Sequence, residues 1–242
     1  MGLATTTIRR RAPRHRAIEA SDYDALIKKD IELYPTENPL TPSVLATWFR
    51  RHPEFGMMYD TFGCCIFVPL IPSTWNKFIR KEIDEANLVD GIFDATTSST
   101  GELCLHMYHI EKSDKWTREF ERMATVVLHD VCMLIHQLNR HHSPSLSPIR
   151  VVGCSALTAS DAGYRMARDV FHMSLLFEPV EFLFRHCTLG HVAIFSASDG
   201  ELLSPNEWTK IGEARLMAVT CTDVCAKVFE TTGKMKHNTT RM

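Results

Sequence analysis

An apolar stripe running from Phe120 through Met123, Val127, Val131 and Leu134 to Leu138 recurs at steps of three and four, directly after the strand-like run "CLHMYHIEK". Such spacing fits an α-helix with one buried face, and Arg118, Glu121, Arg122, Asp130 and Gln137 fall on the opposite, polar face. The next apolar run, "IRVVGCSAL", reads as a buried strand beyond the breaker "RHHSPSLSP". A strand, a long helix and a second strand form a crossover, which joins parallel neighbours in a sheet. The chain is therefore committed to α/β architecture.

The remaining segments fit around that unit. "AIEASDYDALIKKDIELYP" predicts a short strand and then a helix, with Ser21 and Asp24 as its N-cap pair. Tyr23, Leu26, Ile27, Ile31 and Tyr34 form that helix's apolar face. "TPSVLATWFRRHP" predicts a second helix with Leu45, Trp48 and Phe49 buried, and "FGMMYDTFGCCIFVPL" a β-hairpin about Asp60 and Gly63. "STWNKFIRKEIDEANL" has helical character, and "SDAGYRMARDVFHMSLLF" predicts another helix. "VEFLFRHC" and "HVAIFSAS" read as a strand pair, and residues 204–233 as a closing helix ending at Gly233. The expected product is a mixed central sheet flanked by helices, built as one domain over residues 17–233 between a basic arm at 1–16 and a tail at 234–242.

Composition excludes several classes. Hydrophobic residues at 45% and charged residues at 23% are ordinary globular values, and a net charge of −2 gives no global field toward nucleic acid. DNA sequence recognition is not expected. No apolar run reaches the roughly 18 residues of a membrane helix. The eight cysteines are dispersed in apolar surroundings and read as reduced core thiols of an intracellular protein. Cys221 and Cys225 stand four apart without a second ligand pair, so no metal site is expected. "MGLATTTIRRRAPRHR" carries five arginines and no acid, which is compatible with a mitochondrial presequence, a myristoylated anchor using Gly2 and Thr6, a nuclear localisation patch or a solvated tail.

In element order and residues the chain resembles the GNAT superfamily of acyl-CoA-dependent N-acyltransferases over about residues 16–200. "EFGMMYDTFGCCIFVPL" is similar to the family's second and third strands, "LHMYHIEKSDKWTREF" to its fourth strand and pyrophosphate loop, and "IRVVGCSALTASDAGYRMARDVFHM" to its fifth strand and following helix. The resemblance implies that the fourth and fifth strands splay apart, with the pantetheine arm of acetyl-CoA in the gap and the pyrophosphate on amides at the next helix's start. The implied cofactor contacts are Ile110, Lys112, Ser113, Lys115, Trp116, Thr117 and Arg118. The family's loop carries a Gly-x-Gly or Gly-x-Ala element; "EKSDKWTREF" has no glycine, and Lys112 and Lys115 would supply charge instead.

Acyl transfer to an amine needs a base for the amine proton and an acid for the leaving thiolate. On a regular strand Met107, His109 and Glu111 share one face, and His106, Tyr108 and Ile110 share the other. Glu111 or His109 is the candidate general base; equally, the histidines could be hydrogen-bonded sheet residues and Glu111 a cap of the next helix. Aligning "VFHM" with the family's Gly-Phe pair puts Arg168 where its acidic tyrosine falls, and Tyr164, one turn earlier, is the local substitute. The expected activity is transfer of an acetyl group from acetyl-CoA, as co-substrate, to an amine on a protein or a small molecule. The glycine-free loop and the basic arm also fit a catalytically inactive GNAT-fold subunit that structures or assembles a larger complex with a partner protein.

Overall fold

The structure, a computed structural model, describes residues 14–33, 40–59, 63–112, 123–141, 143, 146–177 and 181–220. Among them β1 (Arg16–Ala17), β2 (Gly56–Tyr59), β3 (Gly63–Leu70), β4 (Glu102–Lys112), β5 (Arg150–Thr158), β6 (Ser174–Leu175), β7 (Glu181–His186), β8 (Val192–Phe195) and β9 (Trp208–Thr220) form one sheet. Its order is β1-β2-β3-β4-β5-β9-β7-β8, with β6 also on β9. All pairings are antiparallel except β4 with β5, the two strands joined through the long helix. The mixed sheet expected from the crossover is present.

Helices cover both faces. On one side α4 (Met123–His141) sets Met123, Val127, Val131 and Ile135 against Leu103, Leu105 and Met107 of β4. On the other, α2 (Pro42–Phe49) and α3 (Pro72–Ile79) pack Leu45, Trp48, Trp75 and Phe78 over Ile66, Val68 and Cys104, with Leu26 of α1 (Tyr23–Leu33) beside them. Local chemistry starts these helices where expected. Thr41 accepts from the Val44 amide ahead of Pro42 in α2, and Ser160 accepts from the Gly163 amide at α5 (Asp161–Asp169). Ser21 does not cap α1; it lies in a 3₁₀ turn, Ala20–Asp22, whose capping box is formed by Glu19 and Asp22.

Two segments depart from the sequence reading. Trp208–Thr220 is a thirteen-residue strand instead of the start of a helix. Glu, Ala, Arg, Leu and Met favour helices, but Leu216 and Ala218 enter one core while Met217 and Val219 enter the other, which only a strand buried on both faces achieves. The rest of the predicted helix lies outside the described residues. The helix predicted over "SDAGYRMARDVFHMSLLF" ends at Asp169, and the chain turns through His172, at φ 55°, so that Ser174–Leu175, inside that prediction, joins β9 as a strand. A short helix, α6 (Ala197–Glu201), follows β8. Among the described residues no helix is long and apolar enough to cross a membrane.

Candidate functional site

The parallel ladder between β4 and β5 stops halfway. Its last pair is Met107 with Ala156, yet β4 continues on β3 as far as Lys112 and β5 continues on β9 as far as Thr158. The two strands therefore separate, and the β5-facing edge of β4 beyond Met107 has no strand partner among the described residues. Backbone donors and acceptors without a ladder need other partners. The gap opens into a cleft of about 900 Å³, within the range of sites that hold cofactor-sized ligands. Met123 and Ala124 of the first described turn of α4 reach it, as do Lys112 and the Arg165 side of α5. Two cations on the cleft wall, Lys112 and Arg165, suit an anionic group.

A β-bulge decides what the cleft sees. Opposite Ile66 and Phe67 of β3 stand His109 and Met107, so Tyr108 is an extra residue on β4. One inserted residue reverses the alternation beyond it. Leu103, Leu105 and Met107 face α4, and after the bulge Ile110 does so as well. Cys104 and Tyr108 face α1–α3, and His109 and Glu111 then fall on that same side, toward Lys29 and Asp30 of α1. The expected sharing of one face by Met107, His109 and Glu111 is thus corrected: the bulge splits Met107 from the other two, and Ile110 from His106 and Tyr108.

His109 and Glu111 form a connected pair. His109 Nε2 lies 3.1 Å from Glu111 Oε2, and Lys29 Nζ lies 3.4 Å from Glu111 Oε1. Burial pushes the Glu111 carboxyl upward, but the His109 hydrogen bond and charge, with Lys29, outweigh it and hold the group below its ordinary range. Because an ionised carboxylate only accepts, His109 Nε2 carries the hydrogen and Nδ1 is the basic nitrogen. Asp30 lies on the cleft wall at 8% exposure and accepts from the Leu40 amide. Burial raises its carboxyl, only partly relieved by the charge of His109.

Behind these groups, buried His106 sets its Nε2 2.7 Å from Glu85 Oε1, which lines the cleft, and its Nδ1 3.0 Å from Ser155 Oγ. Ser155 accepts from Trp75 Nε1 at 2.9 Å, and the Glu85 carboxylate, which accepts only, takes the Nε2 hydrogen of the imidazole. A side chain at Gly153 would strike the Trp75 ring, 2.8 Å from its ideal Cβ. Trp48, edge-on to Tyr108 at a ring separation of 4.8 Å, has a buried indole N–H without an acceptor among the described residues. It lies on the cleft wall, where a ligand carbonyl would satisfy it.

Of the residues selected from sequence, Glu111 and His109 are together, and Ile110 and Lys112 line the cleft. Ser113, Lys115, Trp116, Thr117 and Arg118 lie outside the described residues. Tyr164 does not line the cleft; its ring sits between Arg168, 5.4 Å from the ring centre, and Arg215, at 4.8 Å. Sequence reading passed over Asp30, Glu85 and Arg165. Asp30 carried a signal, since it stands four after Leu26 and three after Ile27, inside the apolar stripe of α1. Ile31, assigned to that stripe, is 41% exposed.

No family model matches the chain, and no curated protein matches it. Among solved structures it is similar to Ard1 from Thermoplasma volcanium, with a TM-score of 0.41 and 9% identity over 87% of this chain and 98% of that one. It is also similar to a chain of the NatC complex bound to Gag peptide and CoA, with a TM-score of 0.41 and 11% identity over 86% of this chain and 98% of that one. At these values the fold is read from the strands themselves. A mixed sheet with helices on both faces, whose parallel pair splays apart, is the GNAT-like fold class that the resemblance implies; the bulge beside the opening was not anticipated.

Proposed function

We propose that the chain transfers an acetyl group from acetyl-CoA to an amine, carried by a protein or a small molecule, by direct attack. The observation that carries this reading is the opening of the sheet after Met107 and Ala156 beside His109. The stretch of β4 beyond its last pairing with β5 borders the space for the pantetheine arm, and Lys112 and Arg165 offer positive charge for the phosphates. Trp48 supplies a buried donor on the cleft wall that lacks an acceptor among the described residues.

His109 Nδ1 takes the proton of the attacking amine, while Glu111 fixes the tautomer and stabilises the imidazolium. The amine nitrogen bonds to the thioester carbon, the carbon–sulfur bond breaks, and the imidazolium returns the proton to the departing thiolate. Asp30 and Glu85 attract the amine in its cationic form, which releases one proton to solvent before the neutral nitrogen attacks. Tyr164, held between Arg168 and Arg215, is assigned no step.

His109→Gln preserves size and hydrogen bonding but removes the base. It is expected to lower kcat by about 10²-fold or more while KM for acetyl-CoA stays within a few-fold. Equal turnover would remove His109 from the base role. If millimolar acetyl-CoA fails to raise the melting temperature of the unaltered protein, the enzyme reading falls and a structural or assembly role takes its place.

A further inference from the structure

The sheet face that carries His109 and Glu111 also carries Cys64. On β3, Cys64 stands directly opposite Glu111, with Ile66 opposite His109 two residues along the ladder. Since Cys64 packs on the α1–α3 side, it points the same way as the two β4 residues. Cys64 Sγ, a His109 ring nitrogen and a Glu111 carboxylate oxygen all lie within 4.8 Å of one another. The bulge at Tyr108 produces this convergence; without it His109 and Glu111 would face α4 while Cys64 faced α1.

A buried cysteine on its own reads as a small apolar filler. One flanked by an imidazole and a carboxylate is a sulfur, nitrogen and oxygen donor set, the combination that borderline-soft divalent ions take. We propose that Cys64, His109 and Glu111 bind a divalent cation of the zinc class. In a tetrahedral site with bonds of about 2.0–2.3 Å the donor atoms sit about 3.5 Å apart, so rotamer adjustments of about 1 Å close the site without moving the strands. Three protein donors leave a fourth position for water or an incoming ligand, the pattern of an open site. Binding releases the thiol proton to solvent and changes no oxidation state. The thiolate and carboxylate together balance the metal's charge, and Lys29, 3.4 Å from Glu111, is the cation the metal displaces. The site stands independently of the acyl-transfer reading. Where both operate, the bound ion takes His109 and Glu111 out of proton transfer, so zinc inhibits.

Cobalt(II) titrated into the reduced full-length protein tests this directly, since a cobalt–thiolate bond has its own near-ultraviolet charge-transfer band. The unaltered protein is expected to show that band together with the visible bands of tetrahedral cobalt, and zinc is expected to abolish both. Cys64→Ser and His109→Ala should each lose the charge-transfer band. Glu111→Gln keeps the strand pairing and should weaken cobalt binding, which leaves the test readable if Cys64→Ser fails to fold. Lys29→Met replaces no donor but removes the cation paired with Glu111, and should tighten binding by about two- to five-fold, the worth of a partly exposed ion pair. No charge-transfer band in the unaltered protein, or a band of equal intensity in folded Cys64→Ser, overturns the proposal.

Discussion

Asp30 shows how a single residue can be set against stability. Its carboxyl is buried on α1 and raised above the ordinary value of 3.8, so in the window above that value the folded state keeps a proton the unfolded state has lost. Stability therefore falls as pH rises through that window, and at neutral pH the ionised carboxylate is a net cost to folding. Asp30→Asn is expected to raise the urea midpoint at pH 7, with the difference vanishing below pH 3.8, as unfolding curves across pH would record. A lower midpoint at pH 7 would mean that the charged form is stabilised instead. A group that costs stability and lines a cleft is the kind retained for function. Its presence was legible as an acid inside an apolar helical stripe, but its burial was not, because stripe membership fixes direction and not depth.

At the scale of elements, the long helix could be read from periodicity because it has one buried face, and the hairpin and the crossover strands from apolar runs bounded by turn formers and breakers. β9 could not. Leu216, Met217 and Ala218 are consecutive and all buried, so neither a period of two nor one of 3.6 stands out, and the helix-forming composition prevailed in the reading. The bulge in β4 was equally silent, since nothing in "HMYHIE" marks Tyr108 as the extra residue; it follows from how β3 pairs with β4. Because β9 sends Leu216 and Met217 into opposite cores, Leu216→Ala and Met217→Ala are each expected to cost about 2–5 kcal/mol in chemical denaturation. A nearly neutral result at either position would contradict a strand buried on both faces.

For the whole molecule, the sheet works as a frame that opens at one place. Among the described strands the antiparallel halves flank a single parallel pair, and the ladder's end at Met107 and Ala156 lets α4, α5 and the β4 edge surround a cleft of about 900 Å³. On β4 the cleft is lined by His109, Ile110 and Lys112, all among the residues selected from sequence, with Glu111 bonded to His109. Asp30, Glu85 and Arg165 arrive from distant segments that only the fold brings to the cleft. The central claim is that acetyl-CoA occupies this opening. Calorimetric titration of acetyl-CoA into the unaltered protein and into Ala162→Trp, which places a large ring at an exposed α5 position on the cleft wall, tests it most directly. Heat of binding is expected for the unaltered protein, with an affinity at least about tenfold weaker for the variant, the equivalent of about 1.4 kcal/mol. No heat from the unaltered protein, or equal affinity in both, would contradict it.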